Sequence, residues 1–310
     1  MEHKFRHKDL LGLEEPTREE IELILHTAKP FKELFTRTVK KVPTLRGKTV
    51  TLFFCEPSTR TKTSFELAGK RLNADTINIS VNMSSLQKGE SLLDTAKTID
   101  SMKSDFVVIR HGMSGAGNLI AKNISASVIN AGDGMHEHPT QGLLDLFTIL
   151  EKKGRIKGLN VAIVGDILHS RVARSNIWGL KKLGANVFVV GPATLIPSDV
   201  ERMGVEVCYD IKKIVARLDV INVLRIQSER QEQNLFPSLQ EYSDLFGLTE
   251  KKLVHSKNDL LIMHPGPMNR GIEISSAIAE SGNSAINEQV TNGIVVRMAV
   301  LYLLNKSREG

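Results

Sequence analysis

Residues 53–66 read Phe-Phe-Cys-Glu-Pro-Ser-Thr-Arg-Thr-Lys-Thr-Ser-Phe-Glu, and this stretch joins an apolar strand to an amphipathic helix. Residues 49–54 favour a β-strand, and the apolar positions from Phe65 to Leu72 suit a buried helix face. Residues 58–61 therefore fall at the helix start, where backbone N–H groups and the helix dipole bind phosphate. The stretch predicts an anion-binding site; an ordinary helix cap with solvated charges is the alternative.

The composition is typical of a globular protein. The chain has 310 residues, of which 41% are hydrophobic and 25% charged, and this length is enough for two domains. No apolar run approaches the roughly 20 residues of a membrane span. The N-terminal residues are not followed by the apolar segment of a signal peptide. Cys55 and Cys208 are far apart and have no metal-site spacing. We therefore predict a cytoplasmic protein with neither disulfide nor zinc.

The charge pattern argues against nucleic acid as a partner. The formal net charge is +6, and the basic residues are scattered along the chain. A nucleic-acid-binding protein needs a clustered basic face, and an aromatic fraction of 5% offers few stacking platforms. A modest positive excess suits small anionic substrates better.

Strands and helices alternate along the chain. We expect strands at residues 49–54, 106–109, 127–130, 160–164, 186–190, 220–224 and 260–263. We expect helices at residues 91–102, 141–153, 171–183 and 210–216, with a last apolar helix at 291–305. This alternation predicts an α/β protein whose parallel sheets are flanked by helices, divided into two domains near residues 153–158.

Polar clusters follow the ends of these strands one after another. They are residues 56–61, 110–111, 132–141, 165–171, 225–227 and 264–267. Ligands of open α/β sheets bind at the carboxyl ends of the strands. One such cluster is ordinary for a loop, but their repetition along the chain favours a ligand site.

Two tetrapeptides carry a family resemblance. Ser58-Thr59-Arg60-Thr61 resembles the carbamoyl-phosphate signature of the aspartate/ornithine transcarbamoylases, and His138-Pro139-Thr140-Gln141 resembles their second signature. The resemblance extends over nearly the whole chain. It implies a carbamoyl-phosphate-binding domain at residues 1–150 with 288–310, and an aspartate-binding domain at residues 151–287. The last helix then returns to the first domain.

The implied reaction moves the carbamoyl group of carbamoyl phosphate to an amine. With L-aspartate as the acceptor, it gives N-carbamoyl-L-aspartate and phosphate, an early step of pyrimidine biosynthesis. Charge grows on the carbonyl oxygen and on the departing phosphate, so positioning and positive charge can do most of the catalysis. We expect no metal, cofactor or covalent nucleophile, and the chain has no HExxH sequence or nucleophile elbow.

The resemblance assigns roles in the first domain. It places Arg60, Thr61 and His138 around the carbonyl oxygen, with Gln141 orienting the carbamoyl NH2 group. The residues that it places on the phosphate are Ser58, Thr59, Thr61 and Arg110. Taken alone, His138 could be a loop cap and Arg110 a solvated charge. The backbone carbonyls of Gly266 and Pro267 are expected to accept hydrogen bonds from the amino groups of both substrates.

A polar loop around Lys88 points to an oligomer. In the family this loop reaches the active site of the neighbouring subunit, which implies that Ser84, or Ser85 one residue on, and Lys88 act in trans in a homotrimer. Lys88 would then contact both the phosphate and aspartate. Without the resemblance, an exposed surface loop is the better interpretation. Whether regulatory chains or a dihydroorotase bind the trimer is left open.

The acceptor amine is the point on which family members differ. Arg171 matches the position that binds the α-carboxylate of aspartate, and Arg225 and Gln227 match those that bind the β-carboxylate. Residues 264–267 read His-Pro-Gly-Pro, whereas ornithine enzymes typically have His-Cys-Leu-Pro. Aspartate is therefore favoured, and ornithine or another amine is the alternative acceptor.

Two other functions compete with this interpretation. Residues 161–166 resemble the start of a dinucleotide-binding unit, but Gly165 is not followed by the glycines of the G-x-G-x-x-G pattern. An inactive homologue could serve as a scaffold for a partner enzyme. A scaffold of this kind should have lost Arg60, His138 or Arg171, and this chain keeps all three.

Overall fold

The computed structural model describes residues 4–80, 90–226 and 238–309 of the chain. The chain divides into two compact units, Met1–Leu143 with Val290–Gly310 and Leu144–Gln289. The described residues of each unit form one parallel β-sheet. The predicted fold class, an α/β protein with two parallel sheets flanked by helices, is confirmed.

The sheet of the first unit has four strands among the described residues. They are β1 (Thr49–Phe54), β2 (Asp75–Ser80), β3 (Phe106–His111) and β4 (Ser127–Asp133). Their order is β2-β1-β3-β4, which makes β1 and β3 the central strands. Both central strands are nearly continuous apolar runs, as expected for strands that are covered on both faces.

Among the described residues, four α-helices come before β4. They are α1 (Arg18–Glu33), α2 (Thr59–Arg71), α3 (Leu92–Ser101) and α4 (Ala116–Ala121). In α2, Thr61, Ser64, Phe65 and Ala68 are buried, at the spacing of a single helix face. α3 begins after Ser91, whose side chain accepts a hydrogen bond from the Asp94 backbone N–H.

The sheet of the second unit has five strands among the described residues. They are β5 (Asn160–Val164), β6 (Asn186–Val190), β7 (Glu206–Cys208), β8 (Val220–Val223) and β9 (Leu261–Met263). Their order is β7-β6-β5-β8-β9. The central strand β5 pairs with β6 and β8, and its residues 161–164 are buried in the core.

The remaining helices are α5 (Pro139–Lys153), α6 (Arg171–Lys182), α7 (Leu239–Phe246), α8 (Ser276–Ala279) and α9 (Ile286–Glu309). α9 returns to the first unit, as predicted. There Arg297 Nη1 donates to Ser64 Oγ at 2.9 Å, and the rings of Phe31 and Tyr302 pack edge to face with centroids 5.8 Å apart. None of the helices in the described parts of the chain is both long and apolar enough to cross a membrane.

Most predicted elements are present, and β1, β5 and β6 have the predicted bounds. The predicted helix at residues 210–216 is wrong. Two short 3-10 turns, Ile211–Lys213 and Val215–Arg217, lie there instead, and Asp210 caps the first by accepting from the Lys212 N–H. The β-branched residues at these positions have helical spacing, but the segment is too short to offset helix nucleation.

The edge strands β2 and β7 were not predicted. Each pairs with a neighbour on one side. Ile77 in β2 is 44% exposed, and β7 has three residues. These two strands are partly solvated, so they lack the apolar run by which the central strands were found.

Candidate active site

The first sheet brings its predicted site residues to one edge. Phe54 lies beside Arg110 in the pairing of β1 with β3, and His111 lies beside Asp133 in the pairing of β3 with β4. Beyond the strand ends, the Cys55 N–H donates to the Arg110 carbonyl at 2.8 Å. The loops that carry residues 55–61, 110–115 and 131–138 therefore begin on neighbouring strands.

The Ser-Thr-Arg-Thr signature lies at the start of α2. Ser58 is the N-cap residue, but its side chain makes no capping hydrogen bond. Thr59 and Arg60 are exposed, whereas Thr61 is buried. Because first-turn N–H groups have no partner within a helix, this start has the donors and the dipole of an anion site.

Arg110 is held at the end of β3 by contacts with neighbouring loops. Its Nη1 donates to the Ala131 carbonyl at 3.2 Å, and its Nε lies 3.4 Å from Glu56 Oε2. The side chain of Arg110 is 15% exposed. A partly buried guanidinium beside the start of α2 adds positive charge where an anion is predicted to bind.

His138 is buried at the start of α5. Its backbone carbonyl accepts from the N–H groups of Gln141 and Gly142, at 2.9 and 3.1 Å. His138 is 4% exposed and Gln141 is 7% exposed. The second signature is therefore fixed by the first turn of a helix rather than held in a mobile loop.

A hydrogen-bond network supports the loop before His138. The Asn130 side-chain amide donates to Asp133 Oδ1 at 2.7 Å and to the Glu137 carbonyl at 3.2 Å. Asp133 Oδ2 accepts from the Gly115 N–H at 2.6 Å. The pKa of the Asp133 carboxyl is lowered because hydrogen bonds and nearby His136 outweigh its desolvation, so it stays charged at neutral pH.

Glu137 ties this loop to the N-terminal segment. Its buried carboxylate accepts from the Leu13 N–H at 2.8 Å and from the Glu14 N–H at 3.3 Å. A Cβ atom at Gly12 would overlap Glu137 Oε1, so a side chain at position 12 would displace this hydrogen-bonded carboxylate. Sequence reasoning missed Asn130, Asp133 and Glu137 as supporting residues, although all three lie within eight residues of His138.

Cys55 lies beside the signature and is unsuited to nucleophilic attack. Burial, with a smaller effect of Glu56, raises the pKa of its thiol to about 11. A thiol of this pKa is protonated at neutral pH, and the thiolate is the nucleophilic form. The chemistry at this edge of the sheet therefore does not depend on a cysteine nucleophile.

The second sheet gathers its predicted site residues in the same way. β5 pairs with β8, and the Leu224 N–H donates to the Val164 carbonyl at 2.7 Å. Gly165 has a φ of +131°, and a Cβ atom there would lie 3.1 Å from the Leu224 carbonyl oxygen. Glycine is thus needed for close strand approach, a structural role that needs no dinucleotide.

Arg171 is the first residue of α6 and is 3% exposed. The preceding Ser170 caps the helix, since its Oγ accepts from the Ala173 N–H at 3.1 Å. The loop is braced by Asp166, whose Oδ1 lies 2.9 Å from His169 Nδ1. The guanidinium therefore extends from a rigid helix start.

Arg225 follows β8 and is partly buried between two buried residues, Leu224 and Ile226. Arg171 and Arg225 thus lie on the segments that follow two paired strands, β5 and β8. Two guanidinium groups from neighbouring strand ends are suited to a ligand with two carboxylates.

The segment after β9 is fixed by His264. Its Nδ1 accepts from the Gly266 N–H at 2.8 Å, and its Nε2 lies 3.2 Å from Glu273 Oε1. This pattern assigns a neutral imidazole with the proton on Nε2. Gly266 has a φ of +63°, and the Gly266–Pro267 peptide is cis.

The structure does not describe every predicted site residue. Ser84, Lys88 and Gln227, with the alternative Ser85, lie outside the described residues. Within the described ranges, no group of three or more His, Cys, Asp or Glu residues is arranged to hold a metal ion.

Comparison with known proteins gives the family. Residues 8–151 match the domain described as "Aspartate/ornithine carbamoyltransferase, carbamoyl-P binding domain", and residues 157–304 match the "Asp/Orn binding domain" of the same description. The chain belongs to the aspartate/ornithine carbamoyltransferase family. The predicted family and the predicted transferase class are therefore confirmed.

Relatives within the carbamoyltransferase family include both acceptor types. An aspartate carbamoyltransferase catalytic subunit from Endomicrobium trichonymphae is 62% identical over 302 residues, 97% of each chain. The structure of aspartate transcarbamoylase from Trypanosoma cruzi with carbamoyl phosphate and aspartate has a TM-score of 0.86 at 29% identity, covering 95% of each chain. Ornithine carbamoyltransferase from Pyrococcus furiosus has a TM-score of 0.84 at 33% identity, covering 95% of this chain and 96% of its own.

Proposed function

We propose that this protein transfers the carbamoyl group of carbamoyl phosphate to the amino group of L-aspartate, giving N-carbamoyl-L-aspartate and phosphate. The observation that carries the proposal is a pair of arginines that follow the paired strands β5 and β8: Arg171 at the start of α6, and Arg225 shortly after β8. A relative with 62% identity over 97% of the chain is named as an aspartate enzyme. Backbone similarity does not separate the acceptors, because an ornithine enzyme has nearly the same TM-score.

The first unit is proposed to bind carbamoyl phosphate. The start of α2 contributes the side chains of Ser58, Thr59 and Thr61 to the phosphate, and Arg110 adds charge. Arg60, Thr61 and His138 stabilise the negative charge that develops on the carbonyl oxygen, with Gln141 accepting from the carbamoyl NH2 group. Donors that are fixed before the reaction act this way without reorganisation, and removing one donor typically costs about 10²–10³ in kcat.

The second unit is proposed to bind L-aspartate. Arg171 binds the α-carboxylate, Arg225 binds the β-carboxylate with Gln227, and the Gly266 and Pro267 carbonyls accept from the amino groups. The amine attacks the carbonyl carbon, the C–O bond to phosphate breaks, and the amine releases a proton. Since only the neutral amine is nucleophilic, the rate should rise through mildly alkaline pH until another group titrates.

The decisive experiment is a measurement of phosphate release from carbamoyl phosphate with L-aspartate or L-ornithine as the acceptor. We expect turnover with aspartate alone and its loss in Arg225→Ala. Arg217→Ala is a matched control, because Arg217 is an exposed arginine of the same unit that pairs with Glu206. Turnover with ornithine would contradict the assignment of Arg225. The absence of any turnover would favour the alternative that the protein is an inactive homologue that serves as a scaffold.

The active unit is proposed to be a homotrimer in which Ser84 and Lys88 of one subunit complete the site of the next. The family resemblance of the loop supports this proposal. Trimers reassembled from inactive Lys88→Ala and inactive Arg60→Ala chains should regain activity, because some sites then have both residues intact. Mixed trimers that stay inactive would contradict sharing. The cytoplasmic location stays a prediction.

A further inference from the structure

The second unit contains a buried acid for which the reaction described above has no use. Asp145 lies on α5, and its relative exposure is 0%. Its Oδ2 accepts from the side-chain amides of Asn176 and Asn222, at 2.8 and 3.1 Å. Its Oδ1 accepts from the side-chain amide of Gln289 at 2.8 Å. A buried acid that accepts from three carboxamides is well suited to orient them.

The orientation of the Gln289 amide also determines its hydrogen bond to His264. Gln289 is 3% exposed, and because its NH2 group is directed at Asp145, its Oε1 points the other way. That oxygen accepts from the His264 backbone N–H at 2.9 Å. The acid therefore determines which end of the Gln289 amide faces the segment after β9.

The hydrogen bonds continue from His264 to the proposed substrate-binding carbonyls. His264 Nδ1 accepts from the Gly266 N–H, and its Nε2 lies within 3.2 Å of Glu273 Oε1. Glu273 Oε1 also accepts from the Asn269 N–H at 2.6 Å. Residues 264–269 are thus held at both ends, around Gly266 and Pro267.

We infer that Asp145 is a positioning residue for carbamoyl transfer: through Gln289 and His264 it sets the position of the Gly266 and Pro267 carbonyls. The inference rests on the proposed function, which gives those carbonyls the amino groups of the substrates. Asp145 is not among the residues proposed to touch either substrate. A displacement of about 1 Å at such acceptors can cost about 10²-fold in rate.

Hydrogen-bond chemistry predicts what an amide at position 145 would do. In Asp145→Asn, the remaining oxygen keeps accepting from Asn176, because turning the Asn176 amide would also break its hydrogen bond to the Val172 carbonyl. The new NH2 group then faces the Gln289 NH2 group, donor against donor. Rotating the Gln289 amide relieves that clash but turns its NH2 group toward the His264 N–H. Either way, one buried donor loses its acceptor, and the carbonyls lose their support.

A second substitution should repair this defect. In Asp145→Asn with Gln289→Glu, the amide at 145 donates to one carboxylate oxygen at 289, and the other oxygen accepts from the His264 N–H. The remaining oxygen at 145 still accepts from Asn176 and Asn222. Every hydrogen bond of the relay is restored with the charge moved from 145 to 289. Gln289→Glu alone places two acids in contact and should be impaired.

The test compares steady-state kinetics of wild type, both single variants and the double variant in the full-length protein. We expect Asp145→Asn to raise KM for carbamoyl phosphate about tenfold or more. The inhibition constant of inorganic phosphate should stay within about twofold, because phosphate is proposed to bind at α2. The double variant should recover most of the loss. Asp259→Asn is the matched control, since Asp259 is exposed and pairs with Lys153 in the same unit.

The outcomes separate the inference from the function on which it rests. If wild type has no turnover, the proposed function fails, whatever the variants do. If wild type is active and Asp145→Asn has normal KM and kcat, the positioning role is wrong. If Asp145→Asn only lowers the melting temperature, or the double variant shows the sum of the two single losses, Asp145 is merely structural and the inference is overturned.

Discussion

The starts of α2 and α6 are equivalent places in the two sheets, yet their capping differs. Each follows the carboxyl end of a central strand, β1 or β5. Ser170 caps α6 through its side chain, whereas the side chain of Ser58 makes no capping bond. The hydroxyl of Ser58 therefore does not stabilise the start of α2. The start of α6 is stabilised by its cap and carries Arg171. One fold element can bind an anion through its helix start or through a guanidinium group that the helix positions.

Loss of Arg60 at the start of α2 should lower the rate more than any other change considered below. If the start of α2 binds carbamoyl phosphate, Arg60→Ala should lower kcat by about 10²–10³. Arg60→Lys keeps the charge but lacks the planar fork, so we expect only partial recovery. Steady-state kinetics with each substrate varied in turn provide the measurement. If Arg60→Ala only raised KM for aspartate, the start of α2 would belong to the aspartate site instead of the carbamoyl phosphate site.

The next largest effect is at the start of α6. Arg171→Lys should raise KM for aspartate by about 10-fold or more, because an ammonium cannot make the bidentate contact of a guanidinium. KM for carbamoyl phosphate should change little. Since Arg171 is buried, thermal unfolding of the same variant separates binding from stability. An unchanged KM for aspartate in a stably folded variant would remove Arg171 from the aspartate site.

A matched pair of serine variants tests the capping difference directly. Ser170→Ala should destabilise the protein by about 1 kcal/mol, because α6 loses its cap. Ser58→Ala should leave the free energy of unfolding nearly unchanged and weaken inhibition by inorganic phosphate. Urea unfolding and phosphate inhibition of both variants give the answer. Equal losses of stability would mean that the two helix starts do not differ in capping.

The smallest expected effect concerns an Asp-x-x-His pair at each sheet edge. His169 is buried against Asp166, whereas the side chain of His136, beside Asp133, is 36% exposed. The hydrogen bond to Asp133 raises the pKa of His136 above its ordinary value of 6.5. A raised pKa in the folded state stabilises the protein below about pH 6.5, and this contribution is lost as pH rises through the folded value.

His136→Gln should therefore cost more stability at about pH 5.5 than at about pH 8.5. At pH 5.5 Asp133 remains ionised, since its pKa is below the ordinary 3.8. Urea unfolding at both pH values measures the difference, with Asp133→Asn expected to remove the same pH dependence. A cost that is equal at the two pH values would show that the pair carries no charge interaction.

The elements that the sequence predicted correctly are those with a strong local signal. β1, β5 and β6 are apolar runs in the core, and the two family signatures lie at the starts of α2 and α5, where helix-start chemistry places them. Edge strand β2 and the 3-10 turns after Asp210 were missed or misassigned. Their residues are partly solvated or too few to show a period, so pairing and packing decide their form.

The residues that support the site, such as Asp145, Gln289 and Glu137, could not be predicted from the sequence for a different reason. Asp145 and Gln289 are 144 positions apart, and a polar residue in a helix gives no sign of its partner. Glu137 contacts Leu13 across 124 positions. Contacts at such separation exist only once the chain is folded, so local patterns cannot predict them.

Local sequence patterns were enough to predict most strands and helices, the family and the residues expected after the strands. Each of these depends on short-range spacing, which turns apolar periodicity into an element and places a polar loop after it. The strand orders β2-β1-β3-β4 and β7-β6-β5-β8-β9, and the hydrogen bonds from Asp145 to His264, are visible only in the folded protein. Both are decided by which buried groups find partners, because an unpaired donor or acceptor is costly away from water, and partners come from distant parts of the chain.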